Sequence, residues 1–240
     1  MTERLLDRQT ELLKYLTSGA AIFETETDTS TRGANFGMDS RLLHLEARFS
    51  HEKRMAKIGW ALSRTLDLLG TARSKFIRDF AETNPPLSIG RLENSRQFCS
   101  FLLARWGGDP PYLPDVAAFE LAYAEVHAGD GRMGVINATD APLGAIRRHP
   151  RAVLLRTNYD IRPIMEDLVA APPPAPRDTR LAVTMLPDSA DPVVFELPEN
   201  IFVLLEGLDE FTDPGTTEDE PGMKLFIADL VARGLVEIRQ

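Results

Sequence analysis

The sequence predicts an α+β fold: an N-terminal helical domain followed by a small winged-helix-like domain with a short antiparallel sheet. Three observations carry this. Up to about His127, apolar residues recur at helical spacing between short breaker segments. After about residue 150, short β-rich runs alternate with proline- and aspartate-containing turns. The chain then closes on a strand, strand, helix, helix, strand pattern. These patterns set the expected boundaries at 1–150 and 151–240.

The helical part is taken first. Glu3 to Leu16 carries Leu5, Leu6, Leu12, Leu13 and Leu16 on one stripe, and Gly19 is placed to stop it. Residues 24–37 are polar and rich in threonine and glycine, which predicts a loop. A long helix follows, with Asp39 or Ser40 as its cap and apolar positions from Leu42 through Leu69. Gly70 is expected to break it, and Ala72–Phe80 forms the next helix. Asn84-Pro-Pro86 interrupts the chain. Arg96–Trp106 is helical again, with Phe98, Phe101 and Leu102 turned inward. After Gly107-Gly-Asp-Pro-Pro111, a helix runs to His127 with Pro114 in its first turn and Asp115 at its positive end.

The second part begins with a strand at Ala152–Arg156. A turn at Tyr159–Pro163 leads into a short helix, and Ala170–Pro176 is a stiff polyproline-type connection. Leu181–Leu186 and Val193–Leu197 form a hairpin around Pro187-Asp188 and Asp191-Pro192. Pro198 opens a helix to Leu208, and a second helix covers Lys224–Arg233. Gly234 is placed to end it in a left-handed cap before the last strand.

Charge separates the functions such a domain can serve. Residues 151–240 hold 8 Lys/Arg against 17 Asp/Glu, whereas residues 1–150 hold 19 of each sign. A DNA-reading winged helix needs a basic face to displace counterions from phosphates. This one has Asp209, Glu210, Asp213, Glu218, Asp219 and Glu220 around its helices, so a winged-helix transcription regulator binding DNA is the alternative reading. A basic stretch lies elsewhere, with 9 Lys/Arg against 3 Asp/Glu from Arg41 to Arg78. It reads as a solvated helix face or a docking surface for something acidic.

The only cysteine, Cys99, lies in an apolar helix and reads as core. One cysteine excludes an intrachain disulfide, and the charged N-terminus is not a signal peptide. No stretch approaches the ~20 apolar residues of a membrane span. A cytoplasmic location with no membrane association is expected. There is no phosphate-binding glycine loop and no nucleophile elbow. His44 and His51 are seven residues apart, too far to chelate one metal, while His127 and His149 stand alone. No catalytic residue, metal site or cofactor is expected in this chain.

Residues 112–125, Tyr-Leu-Pro-Asp-Val-Ala-Ala-Phe-Glu-Leu-Ala-Tyr-Ala-Glu, resemble a known signature, Tyr-Leu-x-Asp-Leu-Ala-x-x-Glu-x-Ala. It belongs to the DNA-binding-domain family of partner proteins that accompany multinuclear non-heme iron oxidative enzymes, the methanobactin-biosynthesis-partner-like proteins. Leu5–Leu13 is similar to that family's first helix, and Arg148–Leu155 resembles its approach to the C-terminal part. The C-terminal pattern, with Leu205-Glu-Gly-Leu208 and Leu230–Glu237, resembles the precursor-peptide recognition element (RRE) of peptide natural-product (RiPP) enzymes. The region from 24 to 94 is longer than the family pattern.

The resemblance implies a non-catalytic accessory subunit, without nucleic-acid binding. It would form a heterodimer with a TIM-barrel multinuclear non-heme iron enzyme, which carries the iron, and would present a ribosomally made precursor peptide by its leader. The target chemistry would be oxidative modification of cysteine, either oxazolone and thioamide formation or β-carbon excision from a C-terminal cysteine. In such elements the leader adds a strand to a sheet edge. The expected receiving edge is Val193, Val194, Phe195 and Glu196. The expected groove wall is Lys224, Leu225, Ala228 and Asp229, with Lys224 as the base that meets a leader carboxylate. Tyr112, Asp115 and Glu120 are the expected enzyme contacts.

Overall fold

A computed structural model describes residues 2–23, 39–129, 142–186, 188–213 and 221–239. The expected loop at 24–37 lies outside the described residues. Helices dominate the N-terminal part and strands the C-terminal part, giving the α+β fold. The chain forms two compact units, Met1–Ala117 and Ala118–Gln240. The division falls earlier than the expected 150/151. The segment before Pro150 contains strand β1 (Ile146–Arg148), which pairs with β5 (Val236–Ile238) and so belongs with the C-terminal elements.

In the first unit, α1 (Thr2–Leu16) ends before Gly19, which instead starts α2 (Gly19–Phe23). A Cβ at Gly19 would lie 2.2 Å from Glu82 Cγ, so glycine permits this close approach. Helix α3 (Ser40–Ala61) starts where the Asp39 carboxylate accepts the Arg41 amide at 2.9 Å. It stops at Leu62, whose φ of −121° and ψ of 44° leave the helical region. The apolar pattern resumes in α4 (Ser63–Leu68), so the expected long helix is two. Gly70, at φ +51°, then opens a single 3₁₀ turn before α5 (Arg73–Thr83).

Helix α6 (Arg91–Arg105) packs on α3. Phe76, Phe80, Phe98 and Phe101 form an edge-to-face cluster with centroid separations from 4.9 to 6.0 Å. Cys99 is buried in the same helix. The basic stretch is not all solvated. Arg54 is buried, its guanidinium lying 4.3 Å over Phe80. It donates to Asn94 Oδ1 at 2.9 Å, Asn84 O at 2.7 Å and Gln97 Oε1 at 2.8 Å. Burial lowers its pKa to about 10, which leaves it protonated at neutral pH. His44 is also buried, with Nδ1 2.8 Å from Ala21 O. Helix α7 (Leu113–Ala128) has no exposed residue between Leu113 and Val126.

The second unit contains two antiparallel ladders. One is β1–β5, with Ile146 opposite Ile238. The other has order β2–β3–β4, from β2 (Val153–Tyr159), β3 (Pro176–Thr184) and β4 (Val193–Glu196). Short helix α8 (Arg162–Glu166) lies between β2 and β3; α9 (Glu199–Glu206) and α10 (Pro221–Ala232) follow β4. Ala182, Phe202, Leu205, Leu230, Leu235 and Val236 form the buried core that joins sheet and helices. Each fully buried leucine or phenylalanine there is worth roughly 1.5–3 kcal/mol.

Helix α10 ends as the glycine predicts. Leu235 N–H donates to Leu230 O at 2.9 Å and Gly234 N–H to Val231 O at 2.9 Å, the paired bonds of a Schellman cap. Gly234 sits at φ +65°, and a Cβ there would lie 2.7 Å from Met185 O. Thr184 Oγ1 donates to Gly234 O at 2.6 Å, which fastens this helix end to β3.

Candidate functional site

The β4 strand terminates its sheet. Its register with β3 sets Thr184 opposite Val193, Val183 opposite Val194, Ala182 opposite Phe195 and Leu181 opposite Glu196. Leu197 N–H donates to Arg180 O at 2.8 Å, continuing the ladder. In an antiparallel strand the N–H and C=O of one residue point the same way, and the next residue reverses them. Val193 and Phe195 therefore turn their backbone groups to β3. Val194 and Glu196 turn theirs outward, where no strand pairs with them among the described residues.

Side chains alternate as well. Ala182 and Phe195 share the face that packs on the helices, so Phe195 and Val193 point to the core side. Val194 and Glu196 occupy the opposite face. There Glu196 is bound within an ion network. Arg162 Nη1 lies 2.6 Å from Glu196 Oε2, and Arg177 pairs with the same carboxylate. Arg162 also clasps Asp160 through two bonds of 2.7 Å, and Arg177 reaches it at 3.0 Å. The Arg162 hydrogen bond holds the Asp160 carboxyl down at about 2. The Glu196 carboxylate is thus engaged within its own unit, and its backbone is what faces the edge.

The C-terminal end of helix α10 reaches this strand through Phe195. Phe226, Ile227 and Val231 pack on the core cluster with Phe195. The Arg233 guanidinium lies 5.4 Å from the Phe195 ring centroid and holds Asp229 at 2.8 Å. Arg233 N–H still donates to Asp229 O, so the helical turn continues to it. At about 100° per residue, Leu230 lies some 60° to one side of Arg233. Asp229 lies about 40° to the other side and Leu225 about 80°. Leu225 is 74% exposed.

At Phe195 the structure places Arg233, paired with Asp229. Two expected wall residues lie on another side of the helix. Ala228 lies about 140° and Lys224 about 180° around the helix from Arg233. The correction follows from the helical period: the base at Phe195 is Arg233, nine residues after Lys224. A cation four residues after Asp229 was the sequence signal for it.

The expected enzyme contacts need a larger correction. Asp115 is 8% exposed and Glu120 is 5% exposed, so neither offers a surface. Tyr112 is half-buried, and burial, with Asp109 nearby, pushes its hydroxyl pKa up. The reason is the helix itself: Leu113, Val116, Ala117, Phe119, Ala122, Ala124 and Val126 are all buried, and a half-buried stripe of Pro114, Ala118, Leu121 and Glu125 lies between them. Large apolar side chains are exposed elsewhere in the helical unit, at Leu5, Leu6 and Leu13 on α1 and Leu42, Leu45 and Phe49 on α3.

No protein-family model and no curated protein sequence matches this chain. Among the described residues, no helix is long and apolar enough to cross a membrane.

Proposed function

We propose that this chain is a non-catalytic partner subunit. It binds a ribosomally made precursor peptide by its leader and presents it to an iron-dependent oxidative enzyme that modifies cysteine. The observation that carries the peptide-binding part is the outer edge of β4, unpaired among the described residues, with the Arg233–Asp229 pair at Phe195. An extended peptide satisfies the outward groups of Val194 and Glu196 with main-chain bonds. Alternate side chains of that peptide meet Phe195 and the end of helix α10, and Arg233 suits a leader carboxylate.

The identity of the enzyme rests on the resemblance at residues 112–125. Asp115 and Glu120 in that stretch are buried, so the resemblance there speaks first to packing within the fold. The apolar residues of α1 and α3 are the surface we assign to the enzyme in its place. The partner enzyme, and not this chain, holds the iron in this reading.

The ion pairs of the second unit support peptide over DNA. Arg148 pairs with Asp209, Arg180 with Glu199, Arg147 with Glu237 and Arg233 with Asp229. Guanidinium groups held by neighbouring carboxylates release few counterions from a duplex.

The test is copurification of the tagged full chain from its own cells, with iron assayed in the eluate and peptides identified by mass. The reading expects a second protein carrying iron. It also expects slowed amide exchange at Val194 and Glu196 when the captured peptide is added to the purified chain. Recovery of no iron protein, together with duplex binding that weakens steeply with salt, would replace it with the transcription-regulator reading.

A further inference from the structure

Away from the β4 edge, the second unit contains a cavity of about 670 Å³. That lies within the usual range of small-ligand sites, roughly 300–1,000 Å³. Its lining is divided. Met185, Leu186, Val231, Val236 and Ile238 supply apolar wall, and His127, His149, Arg151 and Glu237 supply the charged or titratable groups.

The hydrogen bonds determine which polar groups remain to meet a ligand. Glu237 is bound to Arg147. Ser189, also at the cavity, is spent on Asp191, donating to its carbonyl and accepting from its amide at 3.2 Å. Arg151 uses Nη2 to donate to Val126 O at 2.9 Å. Its Nε is buried and has no acceptor, and the guanidinium has no carboxylate partner among the described residues. The Arg151 amide donates to His149 Nδ1 at 3.2 Å. A nitrogen that accepts has no proton, so the neutral His149 ring carries its hydrogen on Nε2. Burial, the largest influence, lowers the His149 pKa and favours that neutral ring.

The basic groups that line the cavity are thus the Arg151 guanidinium and the His149 and His127 rings, and among the described residues no carboxylate is paired with Arg151. A carboxylate seated here would meet a guanidinium and an imidazole N–H, a charge-assisted pairing. The walls around these donors are apolar. We propose that this cavity is a binding site for a small monocarboxylate with an apolar body, its carboxylate held by Arg151 and His149. Nothing in this depends on the peptide reading, since the cavity and the β4 edge use different residues apart from the shared helix α10.

The test uses octanoate, octanol and inorganic phosphate as probes on the full chain, with titration calorimetry and histidine nitrogen shifts as readouts. Octanoate is expected to bind saturably and to move the His149 Nε2 resonance. Arg151→Gln should weaken it at least tenfold. Ala190→Trp, a substitution at an exposed rim position, should block it by filling the cavity without touching the donors. This second variant keeps the test intact if the first folds poorly. No octanoate binding to the native chain would overturn the proposal. So would equal binding to both variants, equal binding of octanol, or phosphate binding as tightly as octanoate.

Discussion

Replacing Gly234 with alanine separates two contributions that usually arrive together. The first is conformational: φ is +65°, and a left-handed non-glycine residue costs roughly 1–2 kcal/mol. The second is steric: the new Cβ would lie 2.7 Å from Met185 O and 3.3 Å from Thr184 Oγ1. Relief requires α10 to move off β3, which loosens the 2.6 Å bond from Thr184 to Gly234 O. A lost hydrogen bond is worth about 1 kcal/mol, and the displaced core packing adds a similar amount. The total expected for Gly234→Ala is about 3–4 kcal/mol. Gly144 supplies the control within the same unit. Its φ is +85° and nothing lies within 4 Å of a built Cβ, so Gly144→Ala carries the conformational part alone, about 1–2 kcal/mol. Urea unfolding of the full chain, followed at the second unit by amide exchange of β3, measures both. Equal losses for the two variants would refute the argument, because the contact at Met185 would then cost nothing.

Other perturbations address other links. Arg54→Met removes the guanidinium from over Phe80 and abandons three acceptors, of which Asn94 is buried, and should destabilise the first unit by about 2–4 kcal/mol in urea melts. Asp160 has a folded pKa of about 2, below its ordinary value, so the stability it contributes is present above pH 4 and is lost as pH falls toward 2. With solvent screening this amounts to about 1 kcal/mol, and Asp160→Asn should flatten that part of the acid-unfolding curve. Lys224→Gln should leave leader-peptide affinity unchanged, whereas Arg233→Gln should weaken an acidic leader by about fivefold to fiftyfold in fluorescence titrations. Val194→Pro removes an outward N–H without breaking the β3 ladder, so it should reduce peptide binding at least tenfold while the melting temperature moves by only a few degrees.

The sequence made legible what is local. The Asp39 cap, the Gly234 cap, the hairpin strands and both C-terminal helices each follow from a few neighbouring residues. Breaks governed by backbone conformation were read one element late: Gly70 was the visible breaker, yet Leu62 had already left helical geometry. Properties set by distant pairing were not legible. Nothing near Ile146 announces its ladder with residues about ninety positions later. Arg54 looks like one more cation in a basic stretch until Asn84, Asn94 and Gln97 are brought around it. Asp115 and Glu120 fit a positive helix end and a polar face, and only the packing of their helix shows that both are buried.

At β4 the same ion network that removes Glu196 from ligand contact bears on how an open edge persists. An unpaired strand edge invites indiscriminate pairing, and proteins commonly blunt it by shortness and charge. Here the strand has four residues, and the arginines clamped on Glu196 and Asp160 crowd the face opposite the helices. The other face is closed by Phe195 under Arg233. What stays open is a short stretch of main chain between two charged borders. A flat sheet from another chain would have to place apolar side chains against those borders on both faces. A single extended peptide with a carboxylate on the helix side would not, because Arg233 can exchange Asp229 for it. On the peptide-binding reading proposed above, the arrangement would disfavour sheet stacking and admit one strand of suitable charge.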